Sequence, residues 1–215
     1  MPPLPPGPFV YPILDADLLA GRPCGAAVAD LARGGARIVQ LRAKGVSDRV
    51  LFTLAREALS AARAAGMLFL VNDRPDVALM LGADGVHLGQ DDLPPADARR
   101  LLGAEAIVGW STHSLGQLED AALLPVDYVA FGPVFPTVTK RDADPVVGLD
   151  LLRAARARTT RPLVAIGGIT AANARATAAA GADGLAVISG ILAAPEPAAA
   201  VRALVAAIAG ASATP

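Results

Sequence analysis

Cysteine occurs once, at Cys24, so no disulfide can form within the chain and packing alone must hold the fold, as suits the cytoplasm. Neither sign of charge is in excess: 19 Lys+Arg stand against 20 Asp+Glu, with no dense run of either. That balance excludes the basic footprint of a nucleic-acid binder and the polybasic patch of a membrane-surface protein, leaving a small molecule as the expected partner. Long apolar runs are missing too, although mean hydropathy is +0.47. The longest stretch without a charged residue, Met1 to Leu14, falls short of the roughly 18 to 20 residues that span hydrocarbon. Prolines break it and no basic segment precedes it, so neither a membrane span nor a secretory signal is expected. The apolar excess belongs to an interior. A chain of 215 residues builds one well-buried domain, 1–215, with Pro-rich 1–8 and 210–215 expected as flexible tails.

Lysine and asparagine are nearly absent. The basic residues are arginine except for Lys44 and Lys140, and asparagine stands only at Asn72 and Asn173. In so biased a composition a retained lysine marks a place where a compact, strongly hydrated ammonium is needed.

Short apolar runs rich in β-formers alternate with Ala/Leu/Arg segments of helical period, the pattern of repeated strand–helix units around a parallel sheet. Strands are predicted at 9–14, 36–43, 68–73, 85–90, 106–112, 127–132, 162–168 and 184–189. Over 48–65 a helix is predicted with Val50, Leu51, Leu54, Ala58 and Ala61/Ala62 on its packed stripe and Ser47 or Asp48 as its cap. GADG stands at Gly82–Gly85 and again at Gly181–Gly184, four units later, which is half-barrel periodicity. With no G-x-G-x-x-G fingerprint, the eight units favour an α/β fold closed as a (β/α)8 TIM barrel over an open doubly wound sheet.

Function in such a barrel sits at the C-terminal strand ends. After the second predicted strand, Gln40, Arg42 and Lys44 alternate with Val39 and Leu41, so strand geometry turns the three polar side chains to one side. An amide, a guanidinium and an ammonium together suit a heteroaromatic ring with an anionic tail. The third strand ends in Asn72-Asp73, and Gln90-Asp91-Asp92 follow the fourth. Taken singly, these carboxylates before Pro75 and Pro94-Pro95 have the form of helix caps. Taken together beside Lys44, they form an oxygen donor set for Mg2+. Ser111 and His113 end the fifth strand. Thr137, Thr139 and Lys140 lie in the long segment after the sixth, a hydroxyl-rich cradle for phosphate or diphosphate. Gly167-Gly168 and Ile188-Ser189-Gly190 end the last two strands, where this fold commonly binds phosphate. Two anion sites, one metal site and no activated nucleophile indicate transfer between two phosphorylated ligands. His87, Trp110 and Cys24 are assigned to packing or lining.

The segments QLRAK, VNDRPDVALMLGADGVHLGQDDLP, GWSTHS, YVAFGPVFPTVTK, VAIGGI and GADGLAVISGI, in this order over nearly the whole chain, resemble the thiamine-phosphate synthase family. The resemblance implies joining of 4-amino-5-hydroxymethyl-2-methylpyrimidine diphosphate to 4-methyl-5-(2-phosphooxyethyl)thiazole with release of diphosphate. It places Gln40, Leu41, Arg42, Ala43, Lys44, Asn72, Ser111 and Lys140 against the pyrimidine diphosphate, with Arg42, Lys44 and Lys140 catalytic. It places Asp73 and Asp92 on Mg2+, and Thr137, Val138, Thr139, Gly168, Ile188 and Ser189 around the thiazole phosphate. It implies a dissociative reaction in which diphosphate leaves before the thiazole nitrogen attacks. Trp110 departs from the family pattern, which carries a smaller aliphatic residue there, and is expected to bear on the fifth strand's end. A thiazole tautomerase of the same barrel shares the Ser-x-His-Ser segment around His113 but typically degrades the Gln-x-Arg-x-Lys and carboxylate positions that stand here. A non-catalytic phosphate-binding regulator and a Schiff-base aldolase using Lys44 are the remaining alternatives. A homo-oligomer is left open.

Overall fold

Runs of period two become strands wherever one side chain in two finds the barrel interior and its neighbours find the helices. The computed structural model describes residues 4–137 and 144–209. Its strands are β1 (Phe9–Asp15), β2 (Ile38–Arg42), β3 (Leu68–Asn72), β4 (Gly85–Leu88), β5 (Ile107–Thr112), β6 (Tyr128–Phe131), β7 (Leu163–Ile166) and β8 (Gly184–Val187). All pair in parallel, each with the next, and β1 pairs with β8, so the sheet closes into a (β/α)8 barrel without an edge. Around it lie α1 (Cys24–Arg33), α2 (Asp48–Ala64), α3 (Pro75–Leu81), α4 (Pro95–Leu102), α5 (Leu115–Ala121), α6 (Gly148–Arg156), α7 (Ala171–Ala179), the single-turn α8 (Ser189–Leu192) and α9 (Pro197–Ile208).

Alternation divides the apolar residues into two cores. Val10, Val39, Leu41, Val71, Val86, Val108, Trp110 and Val129 face outward and pack with the helices. Phe9, Tyr11, Ile13, Ile38, Leu70, Ile107, Tyr128 and Val164 face inward and fill the barrel. Leu4 packs against this inner set and Pro5 is buried. Within the proline-rich start of the chain, Leu4 and Pro5 thus cover the lower end of the barrel and keep its inner core from water. Residues 1–3 and 210–215 lie outside the described residues.

Ser47 caps α2 by accepting from the Val50 N–H at 3.4 Å, as its place before the apolar period predicts. The packed stripe of α2 is Leu51, Ala55, Ala58, Leu59 and Ala62. Val50 lies outside it, 44% exposed, because its position in the first turn faces solvent.

The GADG repeat is one device used twice. Gly82 and Gly181 take φ of 64° and 102°, a region glycine enters without strain, at the ends of α3 and α7. Asp84 then accepts from the Phe69 N–H and Asp183 from the Leu163 N–H, each at 2.8 Å. Each aspartate thus ties the start of its own strand to the start of the one before. Asp127 repeats the bond on the Val108 N–H at 2.7 Å without the glycines.

Inside the barrel the two tyrosines need space, and Gly109 provides it: a Cβ there would lie 2.1 Å from Cζ of Tyr128. Gly109→Ala is therefore expected to lose about 1–3 kcal/mol of stability by overpacking, read as a lower urea midpoint at unchanged slope. An unaltered midpoint would show that the interior yields more easily than its packing implies.

Candidate active site

The C-terminal strand ends enclose a cavity of about 410 Å3. Alternation, not loop choice, brings its walls together. Gln40, Arg42 and Lys44 of the β2 end line it, with Asn72 and Asp73 from β3, His87 from β4, Asp91 and Asp92 from the next loop, and Ser111 and His113 from β5. From the far half come Thr137, Gly167 and Gly168, Ile188 and Ser189.

Arg42 is held in place by a partner that the sequence did not single out. The β1–β2 register sets Asp15 beside Arg42, and the buried Asp15 carboxylate takes the guanidinium in an ion pair. Asp15 also accepts from the Asp17 N–H at 3.1 Å, so its position is fixed independently of Arg42. Lys44, exposed at the rim, reaches Asp73 with Nζ 3.0 Å from Oδ2. Asp73 has φ of +63°, a left-handed backbone rarely taken by a residue other than glycine and a form of local strain found at binding sites. Its N–H donates to the His87 carbonyl at 2.8 Å, which pins it there.

Asp92 accepts from the Gly89 N–H at 2.7 Å and lies within hydrogen-bond reach of Asp73. Partial burial, then the facing Asp73, push its carboxyl up to about 6. Neither residue caps a helix: α3 begins after Arg74 and α4 after Pro94, both without a side-chain cap. The cap alternative for these carboxylates therefore does not apply. Two carboxylates within hydrogen-bond reach of one another, one of them paired with Lys44, have the oxygen chemistry that a hard divalent cation would use. Among the described residues no group of three or more His, Cys, Asp or Glu gathers for a metal. An ion here would complete its shell with water and substrate oxygens, which fits Mg2+ and not zinc.

Beneath the mouth runs a buried polar chain. Gln40 Nε2 donates to the Tyr11 hydroxyl at 3.0 Å, and the hydroxyls of Tyr11 and Tyr128 are 3.0 Å apart. Tyr128 Oη lies 2.8 Å from His87 Nδ1, whose Nε2 lies 2.9 Å from Ser111 Oγ. Burial pushes Tyr11 up to about 12 and Tyr128 well above the usual phenol range, and pulls His87 down to about 4. All three are neutral at pH 7.

On the far side, Gly167 and Gly168 pass close to Pro133, Phe135 and the Pro136 carbonyl, where a Cβ would lie at 2.4 Å. Asn173 props this turn by donating to the Gly168 carbonyl at 3.0 Å. Ser189 opens α8 directly after β8. His113 sits between the halves, with Nδ1 2.7 Å from the Gly132 carbonyl and 3.4 Å from Asp144.

Of the residues singled out in the sequence, the cavity gathers Gln40, Arg42, Lys44, Asn72, Asp73, Asp92, Ser111, Thr137, Gly168, Ile188 and Ser189. Leu41 and Ala43 do not line the cavity, and their side chains pack in the outer core, as alternation requires. Val138, Thr139 and Lys140 lie outside the described residues. Trp110, 7% exposed, also packs in the outer core, in line with its assignment to packing. Asp15, Tyr11 and Tyr128 were missed. Tyrosine scarcity was the available signal, since Tyr11 and Tyr128 are the only two in the chain.

The chain is similar to known proteins over most of its length. Residues 10–191 match the family model described as thiamine monophosphate synthase. The chain is 48% identical over 196 residues to a thiamine-phosphate synthase of Laribacter hongkongensis, covering 91% of this chain and 92% of the relative. It is 47% identical to one of Chloroflexus aurantiacus, covering 91% and 90%. Among solved structures, a thiamine phosphate pyrophosphorylase from Pyrococcus furiosus superposes with a TM-score of 0.86 at 34% identity, covering 94% of this chain and 96% of the other.

The carboxylate pair makes a stability prediction with a definite sign. The folded-state value of about 6 for Asp92 lies above its ordinary 3.8, so the folded form holds this proton more tightly. Its charge therefore opposes folding above pH 6, and the penalty fades as pH falls toward 4. Asp92→Asn is expected to stabilise the metal-free protein by about 1 kcal/mol at pH 8, after allowance for solvent screening, with no gain at pH 4. Urea unfolding at both pH values checks this; an equal gain at both contradicts the charge origin. Asp15→Ala is expected to cost about 3 kcal/mol, because it leaves a largely buried guanidinium unpaired. Thermal unfolding shows whether that loss occurs.

Proposed function

The chain belongs to the thiamine monophosphate synthase family and is a transferase that forms thiamine phosphate; from that premise we propose how the barrel mouth performs the reaction. The substrates are 4-amino-5-hydroxymethyl-2-methylpyrimidine diphosphate and 4-methyl-5-(2-phosphooxyethyl)thiazole, and the reaction releases diphosphate. One observation carries the assignment of residues. A single cavity holds Arg42, Lys44 and the Asp73–Asp92 pair on the β2–β4 side, and Gly168 and Ser189 on the opposite β7–β8 side. That is room for two anions, with cation binding at only one.

The pyrimidine ring rests on Gln40 and Ser111, with Asn72 beside it, and its diphosphate extends to Arg42 and Lys44. Asp15 fixes the Arg42 guanidinium, so its donors are oriented before substrate arrives. Asp73 and Asp92 would hold Mg2+, which when bound would supply neutralising charge to the diphosphate. Lys44, at the rim with Nζ 3.0 Å from Asp73, adds its own positive charge on the side where diphosphate leaves. Lys140, with Val138 and Thr139, joins this proposal by its place in the sequence alone. Thr137, Gly168, Ile188 and Ser189 hold the thiazole phosphate, which aims the ring nitrogen at the pyrimidine methylene carbon. The carbon–oxygen bond breaks with its electron pair going to diphosphate, and the nitrogen lone pair forms the new carbon–nitrogen bond. No proton changes place at the reacting atoms. A site with a neutral His87 and no activated nucleophile suits such a reaction.

Charged phosphate esters as substrates and a single cysteine support action in the cytoplasm, and no described helix is long and apolar enough to cross a membrane.

The two sides of the mouth are separable by mutation. Ser189→Glu is expected to raise KM for the thiazole phosphate roughly a hundredfold by like-charge repulsion, with KM for the pyrimidine diphosphate unchanged. Lys44→Ala is expected to lower kcat roughly a hundredfold, with a smaller effect on the thiazole KM. Initial rates of thiamine phosphate formation measure both. If each variant affects both substrates alike, the two-sided assignment fails.

A further inference from the structure

The buried chain Gln40–Tyr11–Tyr128–His87–Ser111 has no part in bond making, yet it engages both tyrosines and one of the two histidines in the sequence. Tyr11 and Tyr128 are 1% and 0% exposed, so water cannot replace a lost partner. Among the described residues no buried side-chain nitrogen or oxygen is left unsatisfied. Each proton in the chain must therefore find one of these neighbours.

Their directions follow by counting. Gln40 Nε2 can only donate, so the Tyr11 oxygen accepts from it and the Tyr11 proton goes to the Tyr128 oxygen. The Tyr128 proton then goes to His87 Nδ1. An imidazole accepting at Nδ1 carries its proton on Nε2, and that proton goes to Ser111 Oγ. A doubly protonated His87 would leave the Tyr128 proton without an acceptor. The serine proton remains, and Ser111 lines the cavity. At the other end, Gln40 has committed its Nε2 inward and offers its acceptor Oε1 to the same cavity.

We propose that Tyr11, Tyr128 and His87 are positioning residues that hold the two ends of the pyrimidine site in opposite polarity, Gln40 as acceptor and Ser111 as donor. Turning the Gln40 amide over would reverse every link at once, the arrangement opposite to the one in which Nε2 meets the Tyr11 hydroxyl. The ligand class selected is a heteroaromatic ring that presents an N–H donor toward Gln40 and a ring-nitrogen acceptor toward Ser111. An aminopyrimidine has both. Its oxo counterpart, with C=O for C–NH2 and a protonated ring nitrogen, presents the reverse pattern and is rejected. The stacking of His87 on Tyr128, with ring centres 5.5 Å apart and planes at 23°, keeps the imidazole from turning out of this arrangement. The substrate part of the inference rests on the function proposed above; the direction of the chain does not.

Two measurements test it. In protein labelled with 15N-histidine, the His87 signal, identified by its absence from His87→Gln, is expected at pH 7 to show an unprotonated Nδ1 and a protonated Nε2. The opposite tautomer, or an averaged signal, overturns the assigned direction. Second, kcat/KM is compared for the amino and the oxo pyrimidine diphosphates. Tyr128→Phe and Tyr11→Phe keep the ring shape and remove one hydroxyl each. Both are expected to lower the amino-over-oxo preference roughly tenfold, the equivalent of one buried hydrogen bond. A purely structural role for these rings leaves the preference unchanged, which overturns the proposal, and the second variant decides if the first does not fold. If the wild-type protein turns over neither compound, the proposed function falls while the tautomer measurement still decides the chain.

Discussion

Eight strands closed on themselves leave a central space that side chains must fill. At the level where the hydroxyls of Tyr11 and Tyr128 meet, 3.0 Å apart, the filling of this barrel changes character. Below that bond Phe9, Ile38 and Ile107 make a dry plug, closed at the bottom by Leu4. Above it Gln40, His87 and Ser111 are polar and lead to a charged mouth. The edge-on contact of the two rings, with planes at 72°, lets one pair serve both zones: the ring bodies pack against the plug and the hydroxyls join the polar chain. Gly109 is the counterpart of that pair, since any side chain there would occupy the Tyr128 ring.

The mouth above this floor is built with unrelieved charge. Asp15 is engaged by Arg42 and the Asp17 N–H, whereas Asp73 and Asp92 face one another with exposed Lys44 as the counter-charge among the described residues. The left-handed backbone at Asp73 adds local strain. A chain selected for stability alone would avoid this arrangement, while the cation and diphosphate binding proposed for this site would gain from it. Across the barrel, Gly167, Gly168 and the start of α8 present main chain at the cavity. The two halves thus differ in kind, one built from charged side chains and the other largely from backbone.

Much of this was legible in the sequence. Strand alternation alone places Gln40, Arg42 and Lys44 on the mouth and Leu41 outside it, and Lys44 and Asn72, both of scarce residue types, line the cavity. The GADG repeat fixes the half-barrel period because its glycine and aspartate each have a local task. What stayed hidden depends on contacts between distant strands. Asp15 reads as an ordinary strand end until the β1–β2 register sets it against Arg42. Tyr11 and Tyr128 lie 117 residues apart, and nothing in the linear sequence pairs them. Leu4 sits in a proline-rich stretch whose composition suggests a free tail, and only closure of the barrel gives it a surface to cover.

The central claim is that the carboxylate pair admits a divalent cation without which the diphosphate does not leave. The most direct test incubates the purified protein with both substrates and Mg2+, with and without a chelator, and follows thiamine phosphate by its fluorescent oxidation product. Product that stops with chelator and returns with excess Mg2+ is the predicted result. Product formed equally well in chelator, or none from folded protein with Mg2+ present, would contradict the account.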